Sequence, residues 1–243
     1  MEIGRKIIHL DSVDSTNNYA ANLLKAGQIE SGTVIMADEQ FAGRGQRAAV
    51  WSVNSGENLT FSFFIDNVNL SVDRQFVLTQ LVSMSLLDLL AKLGLTATIK
   101  WPNDLYCGER KIAGVLIENQ LHGALVKSAI VGIGLNVNQD EFKGFKATST
   151  FIETGLQRFP KELLLSYTVS FSAAWRKYMD GHFVRLKTDY LKHLYRLNMA
   201  SRFLDAEGPF SGRITDVLDS GKLVVQKGNE NVYFAIKEIQ FLH

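Results

Sequence analysis

The chain of 243 residues has one cysteine, three prolines and almost no surplus of either charge. Cys107 has no internal partner, so no disulfide braces this fold. It has to rest on an apolar core, as is usual in a reducing compartment, and a cytoplasmic protein is expected. Lys+Arg 26 against Asp+Glu 25 leave a net charge of +1. General nucleic-acid or membrane-surface binding would call for a basic excess, although a local basic pocket is still compatible with this balance. Long hydrophobic runs are missing as well. The longest apolar region, Phe76 to Leu95, is interrupted by Gln80, Asp88 and Lys92 and reads as an amphipathic helix, not a membrane span. The opening MEIGRKIIHLDSVDS has a short apolar run without a small-residue cleavage pattern, which argues against a secretory signal. His9, His122, His182, His193 and His243 are dispersed without metal-ligand spacing. Cys107 falls in a turn with no partner base nearby in sequence and reads as an inert thiol.

What is present suits one or two domains with a large core, since 46% of the residues are hydrophobic. Asp14-Ser15-Thr16-Asn17 supplies helix-starting residues ahead of Ala20, Leu23 and Leu24 at helical spacing. Thr33 to Ala37 and Asn58 to Ile65 read as strands, and Val72 to Leu93 as a long helix capped by Gly94. Thr96 to Trp101 is expected to be a strand that stops at Pro102. Ile112 to Glu118 and Leu125 to Ile133 form an expected hairpin around NQLHG. Pro160 to Met179 and His182 to Leu197 read as two helices separated by Asp180-Gly181. From Ser201 onward the texture changes to short alternating strands with turns at Glu207-Gly208-Pro209, Asp219-Ser220-Gly221 and Lys227-Gly228-Asn229. That pattern predicts a small barrel or sandwich appended to an α+β domain, with a boundary near Asn198.

Three stretches could carry chemistry. Glu39 to Trp51 reads EQFAGRGQRAAVW, with Gly43 and Gly45 flanking Arg44. Flanking glycines let the backbone approach a ligand, exposed main-chain N–H groups favour anions, and a guanidinium adds planar, multi-donor charge. Taken alone, a mobile surface loop explains the tripeptide at least as well. The second stretch, IKWPNDLYCGERKIAGVLIE, places Lys100, Asp104 and Lys111 near the ends of neighbouring strands. A carboxylate between two cations can hold a lysine or share a divalent metal, and an ordinary β-turn with a charged rim is an equal reading. In the third, VGIGLNVN, Gly132 and Gly134 interrupt a strand, which marks either close approach of another group or crowding against a helix. Asn136 would project a neutral amide at its end.

Jointly, these stretches resemble the biotin protein ligase family. The resemblance rests on Ser15-Thr16-Asn17, the EQ-AGRG run with Gln40 and Arg44, KWPNDL from Lys100 to Leu105, Arg110-Lys111-Ile112-Ala113-Gly114, and Gly132-Ile133-Gly134-Leu135-Asn136. KWPNDL followed by RKIAGVLIE is the specific part. The resemblance implies an α+β fold: a mixed β-sheet flanked by helices, like class II aminoacyl-tRNA synthetases, over residues 1–197, and a small SH3-like C-terminal barrel over 198–243. It also implies activation of biotin by ATP to biotinyl-5′-adenylate, release of pyrophosphate, and transfer of biotin to one lysine of a carboxylase's biotin carboxyl carrier domain. Magnesium is implied with the ATP, without named ligands. A homodimer is compatible with the resemblance.

Ser15, Thr16, Asn17, Gln40 and Gly43 are then expected around biotin, with Arg44 closing over biotin and the phosphates. Lys111 is expected to bridge the biotin carboxylate and the α-phosphate. Gly45, Gln46, Arg47, Trp51, Lys100 and Asn136 are expected on the adenylate side, and Asp104 either assists the incoming lysine or holds Lys111. Two departures stand out. Many relatives carry a second arginine directly after GRG, where this chain has Gln46, and an apolar Ala48-Ala49-Val50 link precedes Trp51. Both bear on loop closure and retention of the intermediate. An arginine that some relatives use near the end has no counterpart in Glu238 to Leu242. The DSVDSTN start lies too near the N-terminus for the winged helix of repressor-type relatives, so no DNA binding is expected. Lipoate ligases on the same fold lack GRG joined to KWPND. A non-catalytic sensor would not require Lys111 aimed at a carboxylate. An independent binding role for the C-terminal strands finds no aromatic-basic patch.

Overall fold

The computed structural model describes residues 1–46, 51, 54–181 and 185–242. In chain order the elements are β1 (Ile7–Val13), α1 (Thr16–Lys25), β2 (Val34–Gln40), β3 (Leu59–Ser71), α2 (Phe76–Lys92), β4 (Thr98–Lys100), β5 (Asp104–Cys107), β6 (Arg110–His122), β7 (Leu125–Leu135), α3 (Thr150–Thr154), α4 (Pro160–Met179), α5 (Leu186–Lys192), β8 (Ala200–Asp205), β9 (Gly208–Val217), β10 (Leu223–Lys227), β11 (Glu230–Phe234) and β12 (Gln240–Leu242). The first seven strands form one sheet in the order β1-β2-β3-β7-β6-β5-β4. β1 and β2 run parallel and the other neighbours antiparallel, so the sheet is mixed as expected.

Alternation along the strands separates the two faces of this sheet. Ile35, Phe64 and Ile130 point to the side covered by α1, where they meet Ala20. Val34, Phe61, Phe63, Val131 and Ile133 point to the other side, into the core shared with α2 and α4. There the rings of Phe63 and Phe171 lie 4.9 Å apart, and Phe61 meets Tyr167 edge-on at 5.4 Å. Such pairs add a geometric preference to the burial of large rings.

The short edge strand β4 is held from two directions. Its backbone at Ile99 accepts from Tyr195 N and donates to His193 O, both at 2.8 Å. The next residue but one, Trp101, is buried and donates its indole N–H to Gly221 O at 2.9 Å. Gly221 adopts φ +89°, and a Cβ there would sit 2.7 Å from the Phe76 ring, so both its conformation and its packing favour glycine. Phe203, Ile214 and Val225 of the C-terminal sheet belong to the same apolar cluster as Phe76 and Leu105.

The C-terminal strands form a five-stranded antiparallel sheet, β11-β10-β9-β8-β12. Among the described residues β11 and β12 do not pair with each other, so the expected small barrel is an open sheet. Other differences are local. The expected helix from Val72 begins with a 3-10 turn, and α2 proper starts at Phe76. β6 and β7 are longer than the hairpin read from sequence, and Asp104 starts a strand instead of turning the chain. The expected helix from His182 is α5 alone, with residues 182–184 outside the described set.

Trp101→Phe keeps the buried ring but leaves Gly221 O without its donor. We expect a loss of about 1–3 kcal/mol in unfolding free energy by denaturant titration. An unchanged midpoint would remove this bond as a tie between the two sheets.

Candidate active site

On the α1 side of the main sheet, a patch of floor has almost no side chains. Gly114 of β6 pairs with Gly134 of β7, and Gly132 pairs with Leu116 and, across β3, with Ser62. The cavity over this patch is lined by Ser15, Thr16, Asn17, Gln40, Arg44, Gly45, Gln46, Trp51, Thr60, Asn103, Asp104, Lys111 and the floor residues. Each glycine leaves room for one neighbour. A Cβ on Gly132 would overlap the Asn17 amide, and one on Gly134 would overlap the Trp51 ring. A Cβ on Gly114 would lie 3.2 Å from Lys111 Nζ and 3.3 Å from Asp104 Oδ1. Crowding against a helix therefore explains Gly132, and approach of the glycine-rich loop explains Gly134.

One wall is built from neutral hydrogen-bonding groups. Ser15 is the N-cap residue of α1, and Ser15, Thr16 and Asn17 are all buried. Thr16 donates to Gln40 Oε1 from its backbone N at 2.7 Å and its hydroxyl at 3.0 Å. Ser62 Oγ lies 2.6 Å from both Thr16 Oγ1 and Asn17 Oδ1. The result is a fixed set of donors and acceptors at the start of α1. No motif in the chain singles out Ser62, which lies in an ordinary-looking strand.

The loop carrying Arg44 is pinned at its neck. Trp51 N donates to Gly43 O at 2.9 Å. A Cβ on Gly43 would overlap the Trp51 carbonyl and come within 2.9 Å of Gln40 Nε2. Gly43 is thus required by close packing. Arg44 Nη2 donates to both carboxylate oxygens of Glu118, at 2.9 and 3.0 Å. Glu118 was not among the residues expected from sequence; the only hint was its place at the end of RKIAGVLIE. Arg47 and the Ala48-Ala49-Val50 link lie outside the described residues.

Opposite this loop, Lys111 Nζ is 2.7 Å from Asp104 Oδ1 and 5.6 Å from the centre of the Trp51 ring. Of the two sequence readings for Asp104, holding Lys111 is the one this geometry contains. Lys100 and Asn136 do not line the cavity. Lys100 Nζ sits over Tyr106 at 4.6 Å, Phe241 at 5.3 Å and Tyr195 at 5.8 Å. Burial lowers its pKa, opposed by the nearby Asp104 carboxylate. Asn136 is buried and donates to Thr148 O at 2.9 Å, while its backbone N bonds Ile112 O. It fastens the strand that carries Lys111 to the segment before α3. Burial pushes the Cys107 thiol up to about 11, in keeping with an inert residue. Among the described residues no three His, Cys, Asp or Glu side chains gather to hold a metal.

Such a cavity joins neutral hydrogen-bonding groups to two cations, each already paired with a carboxylate. It suits a small polar ligand with an anionic end. Gly134→Ala should displace Trp51 and red-shift the indole emission, against a background of buried Trp101 and Trp175. Gly114→Ala, whose Cβ would meet the ends of the Lys111 and Asp104 side chains at 3.2 and 3.3 Å and not the Trp51 ring, should leave the spectrum unchanged. Equal spectra for both variants would remove Trp51 from this position.

Known proteins match both the sequence and the architecture. A sequence model of the biotin/lipoate A/B protein ligase family matches residues 10–136. The bifunctional ligase/repressor BirA of Bacillus spizizenii is 29% identical over 98% of this chain and 75% of its own length. The biotin–[acetyl-CoA-carboxylase] ligase of Paracoccus denitrificans is 29% identical over 89% of this chain and 92% of its own. Among solved structures, the biotin protein ligase from Aquifex aeolicus in complex with biotin and ATP aligns with a TM-score of 0.77 at 29% identity, covering 98% of this chain and 99% of that one. The family match spans the cavity from Ser15 through Gly134, and this chain belongs to the biotin/lipoate A/B protein ligase family.

Proposed function

We propose that this protein is an ATP-dependent biotin protein ligase and that the cavity over Gly132 and Gly134 is its active site. The observation that carries the reading is that Lys111 lines the same cavity as the neutral wall of Ser15, Thr16 and Gln40, with its ammonium 5.6 Å from the Trp51 ring. A biotin ureido ring needs neutral donors and acceptors, and the carboxylate at the other end of biotin needs a cation. The similarity to biotin ligases over nearly the whole chain supports the same substrates.

The reaction asks for no protein nucleophile. The biotin carboxylate attacks the α-phosphorus of ATP, a P–O bond forms, and pyrophosphate departs with the electron pair of the broken bond. Lys111, shared between the carboxylate and the α-phosphate, would offset the negative charge that builds between them. The ε-amine of the acceptor lysine on the carrier domain, once deprotonated, attacks the acyl carbon and expels AMP. Asp104, which holds Lys111, is the carboxylate of the cavity lining and would receive that proton. Positioning two anions against each other is then most of the catalytic work.

Magnesium would enter with the nucleotide. Asp104 is the carboxylate of the cavity lining, which suits an ion held mainly by substrate phosphates and water rather than by a protein cage. We further propose that residues 1–197 and 198–243 form catalytic and C-terminal domains, and that the protein acts in the cytoplasm without a nucleic-acid partner. The open five-stranded sheet supports the first, the single buried thiol the second, and the balanced charge the third.

Pyrophosphate release with biotin and ATP tests the central proposal. Wild type should turn over, and Lys111→Ala should be slower by about 10²–10³-fold. No release by wild type, or release with lipoate in place of biotin, would overturn it. Gln46 stands between the cavity and an adjoining groove lined by Gln75, Phe76, Asn119 and Gly221. Because glutamine brings no charge, Gln46→Arg should slow adenylate dissociation, measured by loss of labelled intermediate from the enzyme. An equal rate in both proteins would exclude a role for this position in retention.

A further inference from the structure

Glu118 has no part in the chemistry above and does not line the cavity. Its carboxylate nevertheless joins pieces of the site that lie far apart in sequence. One oxygen accepts from Asn17 Nδ2 at 2.7 Å, and both accept from Arg44 Nη2 at 2.9 and 3.0 Å. The residue itself is fixed, because it lies on β6 in register with Ile130 of β7, whose side chain packs under α1. Asn17 is likewise determined: its Oδ1 meets Ser62 at 2.6 Å, which leaves its NH₂ group for Glu118. Arg44, by contrast, is exposed and sits on a loop.

We propose that Glu118 is a positioning residue for biotin capture, and that Arg44 acts through it as a strut that holds the glycine-rich loop against the α1 wall. The proposal rests on the biotin-ligase reading and narrows one part of it. An arginine beside a phosphate-binding loop is ordinarily assigned to the anion. Here one of its nitrogens, Nη2, is held by both oxygens of a carboxylate outside the cavity lining, which draws the guanidinium toward the α1 wall. Lys111 differs, because its partner Asp104 lies on the cavity wall. The Arg44–Glu118 pair is partly exposed, with 42% and 38% of the two side chains accessible. A pair of this kind adds little to global stability. Its effect falls on where the loop rests.

The two roles for Arg44 have opposite consequences when Glu118 loses its charge. A strut without its footing binds biotin less well, whereas an anion ligand freed from competition binds ATP better. Steady-state pyrophosphate release by the full-length protein distinguishes them. Turnover by wild type first establishes the ligase reading on its own, and its absence would fail that reading rather than this one. In Glu118→Gln, KM for biotin should rise roughly three- to tenfold while kcat and KM for ATP stay unchanged. Arg44→Met should raise KM for biotin similarly, and the double variant should be no worse than either single one, because both remove the same link. Glu118→Asp keeps the charge one methylene short and should fall between wild type and Glu118→Gln. It also carries the test if Glu118→Gln does not fold. An unchanged KM for biotin in Glu118→Gln, a lower KM for ATP, or additive losses in the double variant would each overturn the proposal.

Discussion

The site exists because two neighbouring strands have no side chains where they cross under α1. Gly114 faces Gly134 across the β6–β7 ladder, and Gly132 follows on the same face. A methyl group at Gly132 or Gly134 would drive out Asn17 or Trp51. A glycine inside a strand ordinarily weakens it. Here the strand remains sound because β7 is flanked on both sides by long partners, β3 and β6, that complete its hydrogen bonds. The bare patch thus lies within the fully paired middle of the sheet, and the space over it admits Asn17, Trp51 and the Lys111–Asp104 pair.

Around this floor, charge is kept in balance. Lys111 faces Asp104 and Arg44 faces Glu118, so each of these cations of the cavity lining is paired with a carboxylate. Polar groups without charge are treated the same way: Thr16, Gln40, Ser62 and Asn17 satisfy one another. A ligand is therefore exchanged for existing partners rather than welcomed by vacant ones. Such exchange favours a ligand that matches the whole constellation over one that merely carries negative charge.

Much of the main sheet could be read from the chain. Pro160 to Met179 was delimited by a proline suited to the first helical turn and a glycine soon after the end. The β6–β7 hairpin announced itself by two apolar runs around a glycine-containing turn. β1 was harder, since Asp11 and Ser12 interrupt its apolar residues and its parallel partner β2 lies beyond α1. Short motifs pointed to Ser15, Gln40, Arg44 and Lys111, all of which line the cavity, because the signal of each lies within a few neighbouring residues. Glu118 and Ser62 were missed because their meaning comes from contacts with Arg44 and Asn17, 74 and 45 positions away. Lys100 and Asn136 belong to recognisable motifs, yet their surroundings are supplied by Tyr195, Phe241 and Thr148, which no spacing in the first half of the chain could indicate.

The backbone bonds at Ile99 have a consequence for the molecule as a whole. A sheet ending in a strand as short as β4 would present bare N–H and C=O groups to any passing chain. Instead, residues 193–195 lie along that margin and occupy both groups of Ile99. The connection leading into the last five strands therefore does double duty as a selvedge, binding the raw margin of the sheet so that it cannot be extended by a neighbouring molecule.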